Sequence, residues 1–321
     1  MKNALQAVWP VLAFMCLAGT YGCKKDLITS SVGSYAQSGA TSLVSFTPSA
    51  SARSAALSDY DSSYLGSALS ASAIGWTGNV ENCDPGTTPD SVKQRILQRL
   101  NYFRRLSGLP AVTMDSSYSA MAQQAALMMK ANNALDHTPP LSWHCATYDG
   151  QLAAANSNLA LGINGPSAVD LYIQDAGVTD LGHRRWALYP PLTQVGTGDT
   201  DFSNALWVIG SFGARPAIDF SAYPGNGYIP APLVYDTWSI SVYTGDFSSA
   251  TVSVSDANGN AYPVTTAVTP TGYGDNTLSW TFAQNIAKNL ETDLQLTVTV
   301  SGVKVGGQVK NYQYSVYIFV P

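Results

Sequence analysis

The chain has 321 residues, 45% of them hydrophobic and only 12% charged, with a formal net charge of −5. That length fits two domains, each with enough apolar residues for its own core. The acidic balance excludes nucleic acid as the main partner, because neutralising phosphates needs clustered Lys and Arg.

The chain opens MKNALQAVWPVLAFMCLAGTYGC, with Lys2 ahead of an apolar run from Ala4 to Ala18. The run is short for a membrane span and is interrupted by Pro10. Gly19, Thr20 and Gly22 then precede Cys23, so residues 1–22 read as an export signal. The Gly22–Cys23 junction resembles a bacterial lipobox, whose cysteine becomes the lipidated first residue, although Thr20 stands where a large aliphatic is usual. An extracytoplasmic protein is expected, held to the envelope by lipid on Cys23, or secreted if a plain signal is cut nearby.

Residues 23–86 are rich in Ser, Ala and Gly, and large apolar residues are sparse. Such a stretch buries too little surface to offset its ordering entropy, so a mostly disordered tether is expected, with Trp76 near its end free to dock on the folded part. Of four cysteines, Cys16 leaves with the signal and Cys23 takes the lipid. Cys83 and Cys145 then form an even pair in an oxidising compartment, which predicts a disulfide contributing roughly 4 kcal/mol by loop-closure entropy.

Folded structure is expected from residue 87. Val92, Ile96, Leu100 and Phe103 recur at helical spacing after Pro89 and Asp90, and Gly108 and Pro110 stop that helix. Its basic residues, Lys93 to Arg105, read as a solvated face. A second helix follows from Ser116, with Ala122, Ala125, Ala126 and Met129 on one stripe whose small side chains suit close packing. A third, shorter helix begins near Ser167, and NALWVIGSF at 204–212 reads as a strand. Residues 87–217 thus read as an α/β domain. Beyond residue 218 the segments WSISVY, ATVSVSD, YPVTTAV, TLSWTF, LQLTVTVS and QYSVYIFV alternate apolar and polar residues between Gly- and Asn-rich turns. Residues 218–321 therefore read as an all-β immunoglobulin-like sandwich.

All three histidines, His137, His144 and His183, lie in the α/β half. His144 adjoins Cys145 and reads as a bystander to the disulfide. His183 sits in LGHRRWALYPPL, where three roles stay open: a strut, a metal ligand, or a base acting on Ser157 or water. Arg184 and Arg185 can bind an anionic ligand at a cleft rim or pair with Asp175 or Asp180, and Trp186 reads as core.

The fragments NYFRRLSGLP, DSSYSAMAQQAALMM, LDHT, SNLALG, AVDLYIQD and GHRRWALYPPLTQVGTG arrive in an order and spacing that resemble the CAP superfamily. This superfamily groups the cysteine-rich secretory, antigen 5 and pathogenesis-related proteins, here in a bacterial extracytoplasmic version. The resemblance covers roughly residues 90–215 and leaves the β-rich half outside. It implies an α–β–α sandwich with a cleft lined by two histidines and two acids, which in some members binds a divalent metal. His137 and His183 fall on the two histidines, Asp175 on the second acid, and Ser157 where the family has its first glutamate. Serine is a poor zinc ligand, so a metal such as Zn²⁺ is expected weakly if at all, and no cofactor is required. The cleft set implied is His137, Ser157, Asp175, His183 and Arg184. The expected function is a surface binding module for a lipid, glycan or protein of the envelope. The alternatives are a hydrolase using His137, His183 and Asp175, or a purely structural surface protein.

Overall fold

The computed structural model describes residues 40–43 and 46–321. The expected export signal and Cys23 lie outside the described residues. The elements begin with β1 (Ala40–Leu43), α1 (Ala50–Asp59), α2 (Asp90–Leu106), β2 (Thr113–Met114), α3 (Ser116–Asn132), α4 (Tyr148–Asn156), β3 (Ser157–Leu161), α5 (Pro166–Gln174) and α6 (Gly182–Ala187). They continue with β4 (Gln194–Asp199), β5 (Ser203–Trp207), β6 (Ser221–Tyr223), β7 (Gly227–Pro230), β8 (Thr237–Val242), β9 (Thr251–Asp256), β10 (Val264–Val268), β11 (Asn276–Phe282), β12 (Leu294–Val305) and β13 (Gln308–Phe319).

In the α/β part the strands run in the order β2-β4-β5-β3. Alternation along them feeds two separate faces. Leu159, Ala205 and Trp207 pack with Ala122, Ala125, Ala126 and Met129 of α3 and with Ala153 and Ala154 of α4. Ala160, Val195, Leu206 and Val208 face the other way, into the core that holds Ile96, Leu100 and Phe103 of α2 and Val169, Tyr172 and Ile173 of α5. This is an α–β–α sandwich. The alanine stripe of α3 approaches β4 so closely that a Cβ on Gly196 would stand 2.4 Å from the Tyr118 backbone, and one on Gly198 2.2 Å from Gln123 N. Only glycine fits at those two positions.

The C-terminal region is β-rich. One sheet has the order β10-β11-β8-β6, all antiparallel. In the other, β9, β12 and β13 are antiparallel, while β1 and β7 both join β13 in parallel, at Lys310–Gln313 and Val316–Phe319. These two parallel additions depart from an immunoglobulin-like pattern of antiparallel pairs. Trp238 and Trp280 face each other across β8 and β11 and are buried in the same core as Val298, Tyr314 and Val316 of the second sheet. That core is continuous with α2 of the α/β part, where Phe103 meets Tyr223 of β6 at 6.0 Å between ring centroids.

The reading of residues 23–86 as a disordered tether needs correction over 46–86. The stretch forms α1, a wider turn at Tyr60–Tyr64 and two short 3₁₀ turns. It is held less by apolar bulk than by the basic face of α2, which is not simply solvated. Arg95 donates to the carbonyls of Gly66 and Ala68, and Arg105 pairs with Asp59 at 2.6 Å. Arg99 donates to Ser67 Oγ at 2.8 Å and to Tyr64 O at 2.9 Å, pairs with Asp170, and lies 3.8 Å from the Tyr64 ring centroid. Tyr60 and Tyr64 stack on each other and add a small apolar anchor against Tyr102 and Phe103. Trp76 docks as expected, donating Nε1–H to Pro85 O at 2.8 Å. Cys83 and Cys145 are joined, closing 62 residues, and His144 beside them donates to Val80 O at 3.0 Å.

One buried carboxyl gives the fold a pH signature. Asp199, at the end of β4, accepts from Gly165 N, Asn204 Nδ2 and Thr197 Oγ1 at 2.7, 2.9 and 3.1 Å, yet burial pushes it up to about 6. With the folded value above the unfolded one, the contribution of this group to stability is complete below the ordinary carboxylate range and is lost as pH rises through about 6. The wild-type chain is therefore expected to gain about 2 kcal/mol relative to Asp199→Asn between pH 7 and pH 4. Urea denaturation of both proteins across that range measures the difference.

Candidate functional site

The segment Leu181–Leu192 is short of regular structure, so its carbonyls need other donors. Arg104 supplies them, while the buried Arg184 and Arg185 of the segment donate outward to carbonyls of neighbouring elements. Arg104 of α2 donates from Nε to Pro110 O, from Nη1 to the carbonyls of Ala187 and Tyr189, and from Nη2 to Leu192 O, at 2.8 to 3.3 Å. Its guanidinium is pushed down to about 10 by burial, and it has no carboxylate partner. Arg184 points the opposite way from the cleft. It donates to Ile173 O at 2.6 Å and Gln174 O at 3.0 Å at the end of α5, and to Thr237 O at 2.9 Å and Ser239 Oγ at 3.2 Å in β8. Arg184 is thus a strut between the two parts of the fold and does not reach a ligand, which corrects its place in the expected cleft set. Arg185 donates to Asp180 O, Pro270 O and Asp275 O at 3.1, 2.8 and 3.0 Å.

These struts hold α6 so that His183 faces a cavity of about 410 Å³. His137, Ser157, Asn158, Asp180, Trp186 and Tyr273 are among its other lining residues. The two histidines reach it from a loop and from α6 but are fixed alike. His183 Nδ1 donates to Asp175 Oδ1 at 2.7 Å, and His137 Nδ1 donates to Ala154 O at 2.8 Å. A carboxylate and a carbonyl only accept, so each ring carries its proton on Nδ1 and keeps an Nε2 lone pair when neutral. His183 also lies against the Tyr172 ring at 5.5 Å, and Asn158 Nδ2 donates to His183 O at 2.9 Å.

Asp175 is the second correction. Its other oxygen accepts from Arg184 N at 3.1 Å, and its side chain is fully buried behind His183. It orients the imidazole and does not line the cavity. Its left-handed backbone (φ 51°), with that of Leu181 (φ 52°), turns the chain tightly enough to bring residues 175 and 183 together. Such a conformation costs on the order of 1 kcal/mol for a non-glycine residue and persists only when its surroundings hold it. Ser157, at the junction of α4 and β3, is buried at the cavity wall, and its hydroxyl has no partner among the described residues. No assembled Ser–His–Asp relay is present, since Ser157 Oγ makes no bond to His183.

The donor set does not fit a dedicated metal site. Among the described residues, no three ligand atoms from His137, His183, Asp175 and Asp180 converge. The one such cluster is Cys83, His144 and Cys145, whose sulfurs are joined in the disulfide. Two imidazoles alone fall short of the three or four protein ligands of a zinc site.

Sequence reasoning missed Tyr273 and understated Asp180 and Trp186. Asp180 has a local signal, since its side chain caps Gly182 N at 2.9 Å at the start of the α6 turn. Trp186 is only half-buried and lines the cavity. Tyr273 comes from the loop between β10 and β11, some ninety residues beyond His183, and carried no signal.

Residues 97–209 match the family model for CAP, the cysteine-rich secretory protein family. The α–β–α domain that carries the cleft is therefore similar to the CAP domain, and the match covers about a third of the chain. One solved structure, an extracellular protein containing an SCP domain from Bacillus anthracis str. Ames, is similar at 23% identity with a TM-score of 0.30. The similarity covers 38% of this chain and 43% of that one, so this chain spans less than half of that protein's length. Comparison with curated proteins gives no match.

Replacing Arg184 with Met keeps an apolar stem but strands buried carbonyls of α5 and β8. The expected loss is about 4 kcal/mol of stability. Chemical denaturation of the variant measures it, and wild-type stability would rule out the strut role.

Proposed function

We propose that this is an extracytoplasmic CAP-domain protein whose cleft holds a small ligand from the cell envelope. One observation carries the reading: two imidazoles, one from a loop and one from α6, each with Nδ1 bonded to the scaffold and no scaffold bond at Nε2, line one cavity of about 410 Å³. That volume lies within the range of small-ligand sites, about 300–1,000 Å³. Two oriented rings are more than a structural protein needs, and a buried Ser157 hydroxyl beside them lacks a partner. Metal-independent recognition agrees with the absence of a third converging ligand among the described residues.

Native mass spectrometry of the chain purified from an envelope fraction tests the reading. The wild type is expected to carry a small-molecule adduct that His137→Ala and His183→Ala both lose while remaining folded. A wild type as bare as its variants overturns it. Calorimetric titration with Zn²⁺ is expected to show no micromolar binding.

The hydrolase reading keeps one specific support, the Asp175–His183 pair, because a carboxylate behind Nδ1 suits Nε2 to general-base work. A chromogenic p-nitrophenyl ester separates the two. Turnover abolished by His183→Ala in a folded variant would favour the hydrolase.

Export and lipid attachment at Cys23 belong to the same proposal and rest on the residue pattern before Cys23 and on the Cys83–Cys145 disulfide. Cys23→Ser is expected to move the protein from the membrane pellet to the soluble fraction. An unchanged distribution would remove the anchor from the proposal.

A further inference from the structure

The loop Thr269–Asp275 joins β10 to β11, yet it is tied by side-chain bonds to the α/β domain. Arg185 binds the carbonyls of Pro270 and Asp275, and its guanidinium carbon lies 5.6 Å from the Tyr273 ring centroid. Arg215 clamps the Asp275 carboxylate with two bonds, at 2.6 and 2.8 Å. Gly274 has a left-handed backbone (φ 61°) and fits against Tyr189 and Arg185 O, where a Cβ would come within 3.2 and 3.3 Å. Tyr273 thereby lies against α6, its Cδ1 3.5 Å from where a Cβ on Gly182 would be, and it lines the cavity that holds His183. The cleft of this chain is therefore composite.

The composition of the wall limits what enters. Neither Lys nor Arg lines the cavity, because Arg184 and Arg185 are turned to backbone carbonyls. Asp180 is the one carboxylate in the lining. A phosphate or carboxylate would meet that charge with no cation to balance it. An alkyl chain would bury the imidazole nitrogens left without scaffold bonds and give them no partners. Trp186 and Tyr273 supply apolar ring surface, while His137, Ser157, Asn158 and His183 supply directional polar groups. Ring faces combined with several hydrogen-bonding groups and no cation suit an uncharged, hydroxyl-rich ring compound.

Resting on the binding-module reading, we infer that Tyr273 of the β-rich region is a specificity-determining wall of the CAP cleft and that the site takes a neutral sugar residue. The test uses the full chain, with cellotetraose, maltotetraose and tetra-N-acetylchitotetraose as neutral probes and dodecyl phosphate as the anionic, aliphatic probe. Affinity is read by calorimetry. Exposure of His183 is read from its rate of diethyl pyrocarbonate modification by peptide mass, with His144 as internal reference. Tyr273→Ala is expected to raise the His183 rate several-fold, leave the His144 rate unchanged and weaken binding of a neutral tetrasaccharide at least tenfold. Tyr273→Phe is expected to keep wild-type behaviour in both measurements. If Tyr273→Ala melts early, Tyr273→Leu replaces it, keeping bulk without the aromatic face.

Wild-type His183 reactivity and sugar affinity in the Ala variant would overturn the role of Tyr273. Binding of dodecyl phosphate but none of the three sugars, with loss in His183→Ala, would overturn the ligand class and leave the binding-module reading standing. Binding of no probe, together with a bare protein from the envelope fraction, would overturn both.

Discussion

Buried guanidinium groups bonded to backbone carbonyls are the constraint on which the site depends. Arg104, Arg184 and Arg185 are almost completely buried. None of them has a carboxylate partner. Removing a cation from water is costly unless its donors are satisfied. Here Arg104 meets carbonyls at the end of α6 and around the Pro190–Pro191 turn, Arg184 meets those at the end of α5 and in β8, and Arg185 meets those of Asp180, Pro270 and Asp275, with its Nε unpaired among the described residues. A planar fork with five N–H groups can bridge several such carbonyls at once, which a lysine ammonium cannot do. The consecutive pair Arg184–Arg185 ties α6 to α5 and β8 on one side and to the β10–β11 loop on the other. The orientation of His183 follows from that anchoring.

The histidine pair shows how a scaffold fixes the direction of two imidazoles that line one cavity. Asp175 and Ala154 O each take an Nδ1 proton, so tautomer and ring direction are set before any ligand arrives. His183 is therefore strut-bound on one nitrogen and available on the other. The same arrangement serves recognition or base chemistry, and Ser157, unbonded to His183, does not complete a nucleophilic relay.

The parts of the chain are bound together more closely than their sequence textures suggest. The 46–86 stretch is fastened by Arg95, Arg99 and Arg105 of α2. Its strand neighbour β1 lengthens the sheet of the C-terminal region beside β13. The β-rich region also shares the α2 core through Tyr223 and supplies Tyr273 to the cleft. Although only 12% of the residues are charged, several of them are buried and act as internal ties.

Local patterns in the sequence determined a good deal. Apolar spacing placed α2, α3 and α5, and alternation placed β8 to β13, because those periods reflect which face is buried. The family motifs identified the CAP domain and brought His137, Ser157 and His183 to one cavity. Order in 46–86 was not legible, since it comes from arginine bonds to backbone carbonyls that composition does not record. The sequence placed Asp175 beside His183, but only the left-handed turns at Asp175 and Leu181 made it a positioning residue and not a wall. Tyr273 was invisible for a simpler reason: a contact between residues ninety positions apart leaves no mark on either neighbourhood. It exists because Arg185 binds the loop that carries it, and only the tertiary structure brings the two together.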